Sequence, residues 1–387
     1  MAEASPAPAV LDVVRTLVAF DTTSRNSNRA LIDYARGILE KAGARIRLTE
    51  DATGTKANLF ATLGPDISGG YVLSGHTDVV PVDGQDWRSN PFEPEIRDAK
   101  LFGRGTADMK GFVGTALALV PEISKQPLRR PIHFALSYDE EVGCVGVRSL
   151  LADLVQQNIR PALAIIGEPT EMRVVGAHKA GAVIETHVHG REGHSSAPAK
   201  GANAVMMAGE FIAYLAQLAG ELRDDTDAHF DPPYTTLQAN MIAGGTAVNV
   251  LARDATITWE YRALPDRDAA QLVPRVVAHG DENILPKYRA QAPEARFDTV
   301  VRASYPGLRR DVRSPAVQLA CEISGGNDVQ AVSYGTEAGL FQAAGIAAVV
   351  CGPGSIADAH KADEFIALSQ LAAGENFLRQ VVARACR

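Results

Sequence analysis

Short apolar runs alternate with amphipathic stretches along the first part of the chain. Residues 10–18 and 30–39 repeat apolar side chains at helical spacing, which predicts two amphipathic helices, and a third helix is predicted over residues 109–123. Between them lie runs of β-prone residues that predict buried strands, at 71–73, 132–138, 163–166 and 347–350. This alternation predicts an α/β domain built on a mainly parallel sheet.

The pattern changes after Lys179. Alternating apolar and polar residues over 182–188 predict a half-buried strand. The following stretches predict, in order, a helix, two strands, a helix and a strand, at 202–218, 234–242, 255–261, 266–277 and 296–303. This order is βαββαβ, the ferredoxin-like α+β unit. We therefore expect residues 178–306 to form a domain inserted into an α/β domain made of residues 1–177 and 307–387.

Polar residues that can bind metals follow the predicted strands of the α/β domain. They are His76, Asp78, Asp108, the three acids Asp139, Glu140 and Glu141, Glu168 and, after the last strand, His360. In an α/β sheet, ligands gather outside the carboxyl ends of the strands, so these side chains are expected to form one site. Carboxylates and imidazoles without thiolates suit zinc, manganese or cobalt, and the set is large enough for two ions. Taken singly, Asp108 also fits a helix N-cap and the three acids a solvated turn.

Length, charge and cysteine content restrict the class of protein. The 387 residues exceed what one core usually serves, which favours two domains. A net charge of −8 argues against a general nucleic-acid binder. The four cysteines have no Cys-x-x-Cys spacing, and no apolar run is long enough to span a membrane. We expect a cytoplasmic protein with reduced cysteines and no secretory signal.

The segments around these residues resemble the M20 family of metallopeptidases and amidohydrolases. The similar stretches, in chain order, are Ser74-Gly-His-Thr-Asp-Val-Val-Pro81, Gly103-Arg-Gly-Thr-Ala-Asp-Met-Lys-Gly111, Asp139-Glu-Glu-Val-Gly143, Gly167-Glu-Pro-Thr170, Gly193-His-Ser-Ser-Ala-Pro198, Gly335-Thr-Glu-Ala338 and Gly352-Pro-Gly-Ser-Ile-Ala-Asp-Ala-His-Lys361. They cover almost the whole chain. The resemblance implies a catalytic domain of the zinc-aminopeptidase type, interrupted by a dimerisation and lid domain.

The resemblance also implies a role for each candidate ligand. Asp108 would bridge two Zn²⁺ ions, for which Co²⁺ or Mn²⁺ could substitute. One ion would be held by His76 and Glu168 and the other by Glu141 and His360. Glu140 would act as the general base, and Asp78 would orient His76. The residue pattern alone leaves open which metal each side chain binds.

The inserted domain is expected to supply further site residues. By resemblance, it would form a homodimer in which His194 reaches the neighbouring subunit's active site. Asn249 and Arg262 would bind a substrate carboxylate, since arginine offers a bidentate fork and asparagine a directional donor. Glu337, in the other domain, would meet a substrate ammonium. The alternatives are a helix-capping loop around His194, an exposed strand arginine at 262, and at 337 a first-turn glutamate favoured by the helix dipole.

The implied activity is metal-dependent hydrolysis of N2-acetyl-L-ornithine to acetate and L-ornithine, a reaction of arginine biosynthesis. Alternative substrates are other N-acyl amino acids, such as N-succinyl-diaminopimelate or an aminoacylase substrate, or peptides cleaved by a carboxypeptidase. A metal-binding homologue without catalysis is the alternative from a different class. The presence of Glu140 beside all five ligand positions argues against it, because a binding module needs no base.

Overall fold

The structure is a computed structural model that describes residues 5–387. The chain divides into two compact units. The second unit consists of His178–Gly307 with Val332–Gly335, and the first unit contains the rest of the described chain. The sequence-based division placed residues 332–335 in the catalytic domain, whereas they pack with the inserted unit.

The helices and strands follow in chain order. Before the insertion they are α1 (Pro8–Val18), α2 (Arg29–Lys41), β1 (Arg45–Glu50), β2 (Ala57–Leu63), β3 (Tyr71–His76), β4 (Glu95–Arg97), β5 (Lys100–Phe102), α3 (Lys110–Ala118), α4 (Val120–Ile123), β6 (Ile132–Ser137), α5 (Gly146–Gln156), β7 (Leu163–Pro169) and β8 (Val174–His178). The insertion contains β9 (Ala180–His189), β10 (Gly193–His194), α6 (Ala204–Glu221), β11 (Thr236–Gly244), β12 (Val250–Leu251), β13 (Asp254–Ala263), α7 (Leu272–His279) and β14 (Arg296–Tyr305). After it come α8 (Pro315–Ser324), β15 (Val329–Val332), α9 (Ala338–Ala343), β16 (Ala347–Gly352), β17 (Phe365–Ala367) and α10 (Leu368–Ala385).

An eight-stranded sheet forms the centre of the first unit, in the order β1-β2-β6-β3-β7-β16-β8-β15. Its middle strands β6, β3, β7 and β16 are parallel neighbours, and the pairs β1–β2, β2–β6 and β16–β8 are antiparallel. Every residue of β3, β6 and β7 is buried, as expected for strands covered on both faces. The predicted α/β class is confirmed, with antiparallel strands flanking a parallel centre.

Two local features of this unit bear on its helices, and the first corrects a prediction. The helix predicted over residues 109–123 is interrupted at Leu119, because Pro121 begins a new turn and lacks the N–H that a continuous helix requires. Asn28 occupies the N-cap position of α2, but its side chain makes no cap. Its amide instead donates to the carbonyl oxygen of Ala57 and the hydroxyl of Thr77, which fixes the start of β2.

The inserted unit has an antiparallel four-stranded sheet in the order β11-β13-β9-β14. With α6 and α7 this is the predicted βαββαβ arrangement, and the buried Trp259 and Phe211 lie in its hydrophobic core. The predicted helix over 266–277 is shorter than expected. A 3₁₀ turn at Ala269–Gln271 precedes α7, which begins only at Leu272.

Among residues 5–387, no helix is both long and apolar enough to cross a membrane. The four cysteines are free thiols, and Cys351 is buried.

Candidate metal centre

The predicted ligands lie at one edge of the parallel centre of the large sheet. His76 is the last residue of β3, Glu168 lies near the end of β7, and Glu140 and Glu141 follow β6. Asp108 stands two residues before α3, so it is not the N-cap of that helix. His360 comes from the segment after β16. The carboxyl ends of parallel neighbours therefore bring together residues that are far apart in sequence.

These side chains form two clusters that share Asp108. In the first, His76 Nε2 lies 3.0 Å from Asp108 Oδ1 and 3.8 Å from Glu168 Oε1. In the second, His360 Nε2 lies 3.1 Å from Asp108 Oδ2 and 3.1 Å from Glu141 Oε2. Within each cluster the three candidate ligand atoms lie within 4.8 Å of one another. The two oxygens of one carboxylate thus face two sites, the arrangement that a bridging ligand requires.

The buried carboxylates of the site would be stabilised by additional positive charge. Burial raises the pKa of Glu141 to about 7, and burial also raises the pKa values of Glu140 and Glu168 well above the usual range of a glutamate. Hydrogen bonds to Asp108 and Glu141 raise the pKa of His360 to about 10. Buried carboxylates crowded around two imidazoles fit divalent cations, which would compensate the charge that burial leaves unscreened.

Asp78 has a different contact from the one predicted. His76 Nδ1 donates to the backbone carbonyl of Asp78 at 2.9 Å, whereas the nearest Asp78 carboxylate oxygen is 3.6 Å away. That carboxylate instead accepts the backbone N–H groups of Glu140 and Glu141, at 3.1 and 3.2 Å. The carbonyl therefore fixes the His76 tautomer, with Nε2 turned toward the cluster, and the Asp78 side chain fixes the Glu140–Glu141 turn.

Three further residues around this turn were missed by the sequence analysis. The Cys144 thiol donates to Glu140 Oε1 at 3.3 Å, and the Ser24 hydroxyl donates to Asp78 at 2.7 Å. Lys56 Nζ lies 2.6 Å from Asp139 and supplies the positive charge that three consecutive acids need. Cys144 stands only four residues after Glu140, but nothing in the sequence connects Ser24 or Lys56 with the acids.

The inserted unit places His194 and Asn249 near each other. Strand β10 pairs with β12, so that His194 lies opposite Val250, and the Ser195 N–H donates to the backbone carbonyl of Asn249. Both residues are exposed, and His194 Nδ1 accepts the backbone N–H of Ser196. The helix cap considered for this loop is provided elsewhere, since the Asn203 side chain caps α6.

Arg262 is on β13 and half-buried. Its guanidinium contacts the Glu260 carboxylate at 3.0 Å and the Tyr305 hydroxyl. These contacts fix the position of the Arg262 side chain, whereas the alternative considered was a strand arginine exposed to solvent.

Glu337 lies inside the protein. It precedes α9, is 1% exposed, and neither of its carboxylate oxygens has a hydrogen-bond partner among the described residues. Burial raises the pKa of Glu337 to about 7, although the charge of His76 acts in the opposite direction. The predicted contact with a substrate ammonium stays a prediction, and it would require this buried carboxylate to become accessible to the substrate.

The fold and this cluster define a class, the α/β proteins that gather carboxylates and imidazoles at one edge of a parallel sheet, where a metal could bind. Residues 72–384 match the model of peptidase family M20/M25/M40. Similar proteins include proteins named acetylornithine deacetylase from Myxococcus xanthus, 36% identical, and from Pasteurella multocida, 32% identical, each aligned over 98% of both chains. The chain belongs to peptidase family M20/M25/M40, whose members are metal-dependent hydrolases of amides.

Solved structures of low identity share the fold. A tripeptidase of Staphylococcus aureus has a TM-score of 0.76 at 19% identity and covers 99% of both chains. Human carnosine dipeptidase 1 has a TM-score of 0.74 at 16% identity, over 97% of this chain and 96% of that one. A dinuclear metal-binding M20 peptidase of Bacillus subtilis has a TM-score of 0.65 at 15% identity, over 97% of both chains.

Loading the metal-free protein with zinc at pH 7 is expected to release protons. With its pKa raised to about 10, His360 is protonated at pH 7 until a cation takes its lone pair, and Glu141 at about 7 is partly protonated. We expect at least about one proton per chain, and weaker metal binding as the pH falls. Calorimetric titration in two buffers of different ionisation enthalpy measures this number.

The variant His360→Ala should lower the number of protons released. His229→Ala is the control, because His229 is an exposed histidine paired with Asp227 in the inserted unit. Metal binding without proton release, or with equal release in all three proteins, would contradict the assignment of His360.

Proposed function

We propose that this chain is a dizinc deacetylase that hydrolyses N2-acetyl-L-ornithine to acetate and L-ornithine, the reaction that supplies ornithine for arginine biosynthesis. The observation that carries the proposal is the pair of clusters sharing Asp108, with Glu140 beside them. The substrate is supported by the relatives named acetylornithine deacetylase, which align over nearly the whole chain.

The residues present fit two divalent ions. His76 and Glu168 would hold one, Glu141 and His360 the other, and Asp108 both, consistent with its two oxygens facing the two imidazoles. Zinc is proposed, with cobalt or manganese as substitutes, because the donor set combines imidazole and carboxylate. When bound, such ions polarise an amide carbonyl and acidify water.

Glu140 is the proposed general base. Burial raises the pKa of Glu140 well above that of an ordinary glutamate, which makes its carboxylate a stronger base. It would take a proton from the attacking water and deliver it to the leaving amine. Two hydrogen bonds restrict the position of this carboxylate. The Asp78 carboxylate accepts the Glu140 N–H, and the Cys144 thiol donates to Glu140 Oε1.

The inserted unit would bind and orient the substrate. His194 would donate to the oxygen that becomes negative as the carbonyl is attacked, and Asn249 with Arg262 would hold the substrate carboxylate. The pairing of β10 with β12 supports a joint role for His194 and Asn249, because it fixes the two loops against each other.

A homodimer through the inserted unit is part of the proposal. Strand β11 is at one edge of the four-stranded sheet and exposes apolar side chains, Met241 at 68% and Ile242 at 52%. An apolar edge strand is a surface that proteins normally cover, and a second copy of the strand would extend the sheet. We also propose a cytoplasmic location, in keeping with four free thiols.

A substrate panel tests the reaction. The zinc-loaded protein is assayed with N2-acetyl-L-ornithine, N-acetyl-L-methionine, N-succinyl-diaminopimelate and dipeptides, and kcat/KM is expected to be highest for acetylornithine. Dipeptides are included because solved structures of similar fold are named as peptidases. A higher kcat/KM on dipeptides or on the succinyl compound would replace the proposed substrate, and no hydrolysis at all would reject an enzyme of this class.

The variant Glu337→Gln distinguishes ammonium binding from an internal role. Because Glu337 is closed to solvent and its charge helps to raise the pKa of Glu140, we propose that it supports the metal centre from inside. The variant is therefore expected to lower kcat/KM by the same factor on acetylornithine and on N-acetylmethionine. A loss confined to acetylornithine would contradict this and would restore direct recognition of the ornithine ammonium.

Glu140→Gln and His194→Ala test the catalytic roles together. Each single variant should bind metal normally, and Glu140→Gln should lose about 100- to 10,000-fold in turnover, the usual contribution of a general base. If His194 acts on the neighbouring subunit's site, mixing the two variants creates one intact site in each mixed dimer and restores part of the activity.

The exposed Glu171→Gln is the control for Glu140, since Glu171 pairs with Arg173 at the surface. Near-normal turnover in Glu140→Gln would reject the base. With subunit exchange verified by differently tagged chains, no recovery on mixing would place His194 in its own subunit's site.

A further inference from the structure

A buried ion pair connects the segments that carry Asp108 and His360. Arg104 and Glu364 are 1% and 0% exposed, and Arg104 NH1 lies 2.6 Å from Glu364 Oε2. Neither residue is among the candidate ligands. Two charges removed from water in this way require good geometry and further hydrogen bonds to compensate their desolvation.

Glu364 collects donors from the loop that ends at Asp108. Its Oε1 accepts the backbone N–H groups of Ala107 at 3.0 Å and of Asp108 at 3.1 Å. Its backbone carbonyl accepts the N–H of Gly103 at 2.9 Å. Both ends of this loop are thus fixed by one residue, which lies four positions after His360.

Arg104 extends the network to His360 itself. Its second guanidinium nitrogen donates to Gln85 Oε1 at 2.6 Å, and Gln85 Nε2 donates to the backbone carbonyl of His360 at 3.0 Å. His360 has a φ of 61°, a left-handed conformation that a side chain other than glycine adopts only with support from its surroundings. The Gln85 contact provides such support.

We propose that Glu364, through Arg104 and Gln85, is the positioning residue that sets the spacing of Asp108 and His360 before any cation binds. This rests on the proposed metal centre, in which the two residues share an ion. Preorganised ligands bind a cation more tightly because less order must be created on binding. The network would therefore act on metal affinity and not on the chemical step.

The variant Glu364→Gln is suited to the test because every group that contacts the Glu364 carboxylate is a hydrogen-bond donor. An amide offers one oxygen and one NH₂ group, so either Arg104 or the Ala107–Asp108 pair would face a donor. Glu375→Gln is a closely matched control. Glu375 is also buried, with the Ala7 N–H on one oxygen and Arg379 on the other.

Zinc affinity of the metal-free proteins is measured by competition with a chromophoric chelator, and hydrogen exchange of the 103–110 segment is followed without metal. For Glu364→Gln we expect affinity about 10- to 100-fold lower, the usual effect of losing a group that orients a ligand, and faster exchange. Glu375→Gln should match the unsubstituted protein in both. If Glu364→Gln also matches it, the positioning role is rejected. If the unsubstituted protein binds no zinc, the metal centre itself fails.

The variant Gln85→Ala provides a second test that leaves the buried ion pair in place. Gln85 is half-buried and, of the two candidate ligands, reaches only His360 directly. We expect about tenfold weaker binding of one ion and unchanged binding of the other. Unchanged binding of both ions would overturn the proposal even if Glu364→Gln does not fold.

Discussion

The concentration of buried carboxylates at one sheet edge is the constraint on which the rest of the site depends. Asp108, Glu141 and Glu168 converge on two imidazoles, while Glu140 and Glu337 lie close enough to influence the site's pKa values. Without a cation, the raised pKa values of Glu141 and Glu168 favour protonated carboxyl groups, which reduces the negative charge of the buried cluster. The raised pKa values suit the proposed chemistry, because the stronger basicity of Glu140 and the exchange of protons for metal at the candidate ligands both result from burial.

Backbone N–H groups hold this charge in place. The Asp78 carboxylate accepts the N–H groups of Glu140 and Glu141, and the Glu364 carboxylate accepts those of Ala107 and Asp108. In both cases a buried carboxylate that is not a candidate ligand orients a loop that carries one. Such supports act on main-chain atoms, so they leave the candidate ligand side chains free to face a cation.

The sequence predicted the fold class and the residues of the metal cluster from local information. Apolar runs located the strands, and the rule that parallel strands present their carboxyl ends at one edge made His76, Glu168 and the three acids at 139–141 candidates. The choice of Glu141 among those acids came from the family resemblance. The partners of Asp78 and Glu364 could not be predicted in this way. These hydrogen bonds depend on loop conformations, such as the positive φ of Asp139 and His360. The loop conformation determines which backbone N–H groups lie within reach of each carboxylate. The burial of Glu337 was missed for a related reason. A glutamate that precedes a helix can lie at the surface or in the interior, and the local sequence does not distinguish the two.

Substrate choice must then come from residues other than the metal cluster. Any amide carbonyl could meet the proposed ligands and base, and proteins named as peptidases share this fold. Glu337, the acidic residue of the first unit predicted to meet the substrate ammonium, is closed to solvent, so that contact would require the carboxylate to become accessible. The remaining candidates are polar groups of the inserted unit, the exposed His194 and Asn249 and the half-buried Arg262. Arg262 is already paired with Glu260, so a substrate carboxylate would have to compete with that contact at 3.0 Å. Competition of this kind favours a ligand that offers two oxygens to the guanidinium fork, as a free amino-acid carboxylate does and an internal peptide carbonyl does not.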